Sequence, residues 1–158
     1  MLQAIRVTGL DKTLQNLNVE MQKIRFRNKK GLIRAGLFVQ GESQKIVPRM
    51  LSNLAASAFT VWGGAARLLA SGFKGKDGSM MSSDHSRIVS EENMSLPSGD
   101  SNPRVMIGYS AHYAIYVHET LPDKAKHRPG KRWKFLQEAL SNNFDRILGI
   151  IEADGRKM

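Results

Sequence analysis

Four residues in the second half of the chain carry side chains that hold metals or move protons: His112, His118, Glu119 and His127. A metal site on one helix needs two histidines four residues apart, as in His-Glu-x-x-His, because that spacing puts both imidazoles on one face. His112 and His118 are six apart and diverge on a helix. No metal is expected from that spacing. The plainer expectation is that His118 and Glu119 end a helix at a subunit surface, where a charge pairs with a neighbour. Ser83-Asp84-His85 holds the residue types of a hydrolytic triad. Adjacent residues do not converge on one point, however, and a triad needs convergent side chains on a rigid frame. No Gly-x-Ser-x-Gly elbow is present. Gly72-Phe73-Lys74-Gly75-Lys76 lacks the spacing of a phosphate loop. Neither an enzymatic activity nor a cofactor is expected.

Tyr109, Tyr113 and Tyr116 fall within eight residues. Tyrosine joins a large apolar ring to a polar tip and suits surfaces buried between subunits. An edge of the monomer core is the equal alternative, and both stay open on sequence grounds. Met21 reads as core, whereas Met80, Met81 and Met94 lie in a polar region as adaptable contacts.

The net charge is +10, and the isoelectric point is near 10.2. Such a balance favours contact with nucleic acid or with an acidic protein surface. The charge is clustered. Arg25, Arg27, Lys29, Lys30 and Arg34 form one group, and Lys124, Lys126, Arg128, Lys131, Arg132 and Lys134 a second. The first group has no interleaved aromatics, which argues against a stacking platform for single strands. On a rigid helix it would present a row of charges to phosphates in a DNA channel. The second, on an irregular segment, suits docking. A solvated surface is the bland reading of both.

The elements that must position these residues follow from periodicity. Gln3 to Val7 reads as a short strand. Asp11 is a candidate N-cap for a helix whose Leu10, Leu14, Leu17, Met21 and Ile24 share one face. Asn28 to Gly31 is a weak point. A second helical pattern, Leu32 to Ile46, ends before Pro48, and the two patterns are compatible with one kinked helix. Leu54 to Trp62 reads as a strand covered on both faces after assembly. Residues 72–102 are rich in Ser, Gly, Asp and Lys, and read as a long polar β-hairpin arm or flexible loop. Arg104 to Tyr109 is a strand, Ala111 to Glu119 a helix capped by Ser110, and Phe135 to Ile151 a helix with a wide apolar face. The expected fold is α+β: a small antiparallel sheet packed by long N-terminal and C-terminal helices. At 158 residues this is one domain with a real core. Without cysteine, disulfides and thiolate metal sites are excluded. No apolar run approaches the roughly 18 residues that span a bilayer. The N-terminus lacks a signal-peptide pattern. The chain is therefore expected to be soluble, made in the cytosol and without membrane contact.

Three segments in order carry a family resemblance: Pro48…Ser52-Asn53-Leu54…Ser57, Ile107-Gly108-Tyr109…Tyr113-Ala114…Tyr116-Val117-His118-Glu119-Thr120, and Phe135-Leu136…Ala139-Leu140. Together they resemble the neck and tail-completion family of head–tail connector proteins from tailed phages. Ser52 stands where that family often has Gly, and His118-Glu119-Thr120 where it often has Glu-Gly-Thr. The resemblance implies a structural virion protein that forms a closed ring of about six or twelve copies at the head–tail junction or the top of the tail. Its partners would be other copies of itself, neighbouring connector, tail-terminator or tail-tube proteins, and packaged DNA in the channel. It would sit in the virion neck or tail after assembly in the host cytoplasm. On that reading Tyr109, Tyr113, Tyr116, His118 and Glu119 lie at the subunit interface. Lys124, Lys126, Arg128, Lys131 and Arg132 dock neighbours, and Arg25, Arg27, Lys29, Lys30 and Arg34 face DNA. A basic nucleic-acid-binding module is the alternative, and steep loss of binding with salt would distinguish it.

Overall fold

The computed structural model describes residues 10–48, 53–63, 69–70, 80–96, 103–119 and 133–156. The expected strand at Gln3 to Val7 and the basic segment 120–132 lie outside them. Helix α1 spans Leu10–Ile46 as one element, about 55 Å long at 1.5 Å per residue. It already includes Asp11, which is therefore inside the helix and not its cap. The weak point at Gly31 is a crossing point. A Cβ there would lie 3.0 Å from the backbone oxygen of Ile151, and one on Gly36 would lie 2.6 Å from Cγ1 of Val105. Glycine costs a helix about 1 kcal/mol relative to alanine, and close packing offsets that cost. α1 ends two residues before Pro48, as the restriction on residues preceding proline requires.

A helical turn, α2 (Asn53–Ala56), precedes strand β1 (Ala58–Val61). The strand is thus shorter than the apolar run 54–62 suggests. β1 is the centre of an antiparallel sheet of order β2-β1-β3, with β2 at Leu69–Ala70 and β3 at Met106–Tyr109. Phe59 pairs with Ala70 on one side and Gly108 on the other. All four β1 residues are buried. Thr60 meets α1, where its hydroxyl donates to Gln40 Oε1 at 2.6 Å. Phe59 and Val61 pack on Val89 in the opposite layer. Both faces are therefore covered within one protomer, without assembly.

That opposite layer is helix α3 (Met80–Ser95). It corrects the expectation of a hairpin or flexible loop across 72–102, of which residues 72–79 and 97–102 lie outside the described set. Composition misled because two of the three residues in the inward stripe are polar. His85, Val89 and Asn93, spaced by four, are all buried. Each polar member has a partner: Asn93 Oδ1 accepts the Gly63 N–H at 2.9 Å, and His85 shares a hydrogen bond with the Ser110 hydroxyl.

After β3 come α4 (Ala114–Glu119), α5 (Phe135–Ser141) and α6 (Phe144–Gly155). The expected C-terminal helix is broken at Asn142-Asn143. Asn142 N–H bonds the Glu138 carbonyl, and the Asn143 amide side chain bonds the Ala139 carbonyl. The turn rotates the apolar pattern. Phe135, Ala139 and Ile147 are buried, but Leu140, Phe144 and Leu148 are exposed. They belong to the wide apolar face of residues 135–151 but not to the core. α1 packs on both α5 and α6. Ala35, Val39, Ala139 and Ile147 form the core between them. The molecule is α+β, a small antiparallel sheet packed by long N-terminal and C-terminal helices. Among the described residues no helix is long and apolar enough to cross a membrane.

Candidate functional site

The aromatic turn between β3 and α5 brings the three motif segments together. Val47, Leu54, Ala114 and Phe135 form one buried cluster, with Tyr109, Tyr113, Val117 and Leu136 packed around it. Tyr109 leaves β3 pointing inward. Its ring meets Phe135 edge-on at 4.9 Å, and its hydroxyl shares a 2.7 Å hydrogen bond with Ser43 on α1. Burial pushes its phenol up to about 12. Tyr113 is half-buried, and burial raises its phenol too. Tyr116 is 79% exposed, beside Ile115 at 72%. The structure thus divides a set that sequence placed on one interface. Tyr109 is held by the core, Tyr113 spans the boundary, and Tyr116 lies at the surface.

His118 and Glu119 end α4. His118 Nδ1 lies 2.7 Å from Glu119 Oε1, so an Nδ1–H donates to the carboxylate. The ring meets Phe135 edge-on at 4.9 Å, and the His118 carbonyl accepts the Lys134 N–H. Nε2 is buried with no hydrogen-bond partner. Beside it an apolar cavity of about 210 Å³ is lined by Tyr109, Ala114, Ile115, His118, Phe135 and Leu136. Lys134, which starts α5, has a left-handed φ of 51°, and its ammonium lies 4.9 Å from the Trp133 ring.

His85 and Ser110 are a pair that sequence reasoning missed, having sought a partner for His85 next door at Ser83. Ser110 does not cap α4, which starts four residues later. Its N–H bonds the Ser57 carbonyl at 3.0 Å and its hydroxyl reaches the same oxygen at 3.4 Å. Burial lowers the His85 imidazole below its usual range. This pair ties α3 to the end of β3. Among the described residues no three His, Asp or Glu side chains gather as a metal ion would need.

The first basic group does not form a row. At 100° per residue, Arg27, Lys30 and Arg34 share one side of α1, and Arg25 and Lys29 the other. Arg34 is also committed to the protein. Its guanidinium donates to both Asp154 carboxylate oxygens at 3.0 Å, and the Asp154 side chain is 2% exposed. The docking group Lys124, Lys126, Arg128, Lys131 and Arg132 lies outside the described residues.

Residues 12–26 of α1 are exposed throughout, unlike the rest of the helix. Leu14, Leu17, Met21 and Ile24 lie on one side, Val19 and Phe26 on the other. Sequence assigned Met21 to a core; it is instead open to solvent. No family model, no curated protein and no solved structure matches the chain.

Proposed function

We propose that this chain is a non-enzymatic structural protein of a tailed phage, forming a ring at the head–tail junction or the top of the tail. The observation that carries the reading is the convergence of its three motif segments. Leu54 from the first, Tyr109, Tyr113, Ala114 and Val117 from the second, and Phe135 and Leu136 from the third share one cluster. Segments about 20 to 80 residues apart that pack together act as one unit, and this unit leaves Ile115 and Tyr116 outside for a neighbour. Ring symmetry repeats one heterologous contact until it closes. The protomer's own work is then to seal and join, leaving an axial channel for DNA.

The test is joining of tails to filled heads. Neutralising Lys126, Arg128 and Arg132 together is expected to block joining while thermal unfolding of the subunit stays in place. Electron microscopy would count infectious particles against free tails. Normal joining by the triple variant removes the docking role of that segment. A full complement of joined particles in the absence of this protein removes the function. The basic nucleic-acid module remains a second reading because Arg25 and Lys30 are exposed on α1. A duplex-binding isotherm that weakens steeply with salt would favour it.

A further inference from the structure

The stripe Leu10, Leu14, Leu17, Met21 and Ile24 alternates spacings of four and three, the heptad pattern of a helix that packs along another helix. Continued in the same register, it meets Asn28, Gly31 and Ala35. There the face is occupied: Gly31 lies against Ile151, and Ala35 packs with Ala139 and Ile147. α6 ends at Gly155, beside Asn28. N-terminal to that point residues 12–26 of α1 are exposed throughout, for about 22 Å. Leu14, Leu17, Met21 and Ile24 are each about half exposed.

A second uncovered stripe lies on α5 and α6. Leu140, Phe144 and Leu148 recur every four residues and are exposed on the side away from the core. The two stripes differ in charge. Residues 10–30 hold six basic side chains and two acidic ones. Residues 135–156 hold four acidic side chains and two basic ones, of which Asp154 is buried against Arg34 and Glu152 pairs with Arg156, in a chain that is otherwise strongly basic. Glu138, Asp145 and Glu152 recur every seven residues there, and Asp145 and Glu152 are exposed. In the arm, Arg25 and Arg27 flank Ile24 at the positions that border a heptad seam.

We infer that the arm of α1, Leu10–Arg27, packs on the α5–α6 face of a second copy of this chain, covering Leu140, Phe144 and Leu148. Charge selects that occupant. Two arms side by side would bring basic flanks together, whereas the arm against α5–α6 sets basic against acidic, which steers association and fixes its register. Donor and acceptor surfaces differ, so the contact is heterologous and each copy offers both. The inference deepens the ring reading above and rests on it for the presence of a second copy.

The test uses the full-length chain in analytical ultracentrifugation. The wild type is expected to self-associate. Leu17→Gln, Met21→Gln and Ile24→Gln together change only exposed positions, and are expected to weaken association at least about tenfold while leaving thermal unfolding of the protomer in place. Arg25→Glu with Arg27→Glu is expected to weaken it, as is Glu138→Arg with Asp145→Arg. One chain carrying all four exchanges should associate again. The chain has no cysteine, so Met21→Cys with Phe144→Cys is expected to cross-link between copies under a short bismaleimide, and Met21→Cys alone is not. A monomeric wild type overturns the inference, and so does undiminished association of the glutamine variant. Failure of the fourfold exchange to restore association, or cross-linking by Met21→Cys alone, overturns it as well. DNA binding lost with the Arg25 and Arg27 exchange while association is unchanged would assign the arm to nucleic acid. An oligomer that survives every arm variant removes the arm contact and leaves the ring reading standing. Failure in head–tail joining removes the phage reading whatever the arm does.

Discussion

Tyr109 and Tyr116 are seven residues apart and lead opposite lives. The chain has three tyrosines, and a spectrophotometric titration should show one of them ionising late, near 12, because burial disfavours its phenolate. Tyr109→Phe should remove that late step and cost about 1 kcal/mol in urea unfolding, the usual worth of one hydrogen bond. Tyr116→Ala should leave the midpoint within about 0.5 kcal/mol. His85 makes the complementary prediction. Its folded imidazole ionises below the ordinary 6.5, so between those two values the unfolded chain binds more protons than the folded one. Stability is then fully present above pH 6.5 and falls as the pH drops toward the folded value. His85→Asn should flatten that slope in urea midpoints measured across the window; an unchanged slope would place the acid sensitivity elsewhere. These roles were half legible in the sequence. The tyrosines announce a surface or a core edge, but which one depends on Ser43 and Phe135, far along the chain. The bond from His85 to Ser110 has no local signal at all.

Helix α1 crosses α6 through glycine, and glycines in the two helices should respond in opposite ways. Gly149 and Gly41 would carry a Cβ with nothing within 4 Å, so alanine there should stabilise by about 0.5–1 kcal/mol through helix propensity. Gly31→Ala has the same propensity gain but drives a Cβ toward the Ile151 carbonyl. It should destabilise on balance, since overpacking costs about 1–3 kcal/mol. Thermal melts of the three variants would check the ordering. The Arg34–Asp154 link between the same helices should be asymmetric. Arg34→Ala leaves a buried carboxylate without its guanidinium and should cost about 1.5–3 kcal/mol. Asp154→Asn should cost less, because the Arg34 side chain is 56% exposed and reaches water. Long periodic stretches made α1 readable, and Pro48 fixed its end. α3 was not readable, because its inward stripe is mostly His85 and Asn93 and no window of large apolar residues marks it. The break in the C-terminal helix was equally hidden. Asn142-Asn143 is a weak signal inside a strong apolar pattern, and the pattern continues across it with Leu140, Phe144 and Leu148 turned outward. Phe135→Ala should therefore cost about 3–5 kcal/mol, and Phe144→Ala within about 0.5 kcal/mol for the protomer.

Across the molecule, protection should be graded along one helix. Amide exchange in an unassociated protomer is expected to be fast from Leu14 to Ile24, where no packing holds the turn closed, and slow from Ala35 to Ser43. Uniform protection along α1 would contradict the description of its first half as an unsupported arm. The α+β class was legible because periods of 3.6 and 2 succeed each other clearly along the chain. The layer order was not, since it depends on contacts between distant segments. One of them joins α1 to α6: Arg34 and Asp154 are 120 residues apart. During synthesis Ala35 leaves the ribosome long before Ile147, its core partner, has been made. At about 5–20 residues per second that delay is roughly 6–20 s. For that interval the side of α1 around Ala35 and Val39 lacks the cover that Ala139 and Ile147 supply, and it waits for a segment still to be translated. The protein's yield should therefore depend on how crowded the nascent chain's surroundings are before it depends on how stable it finally becomes.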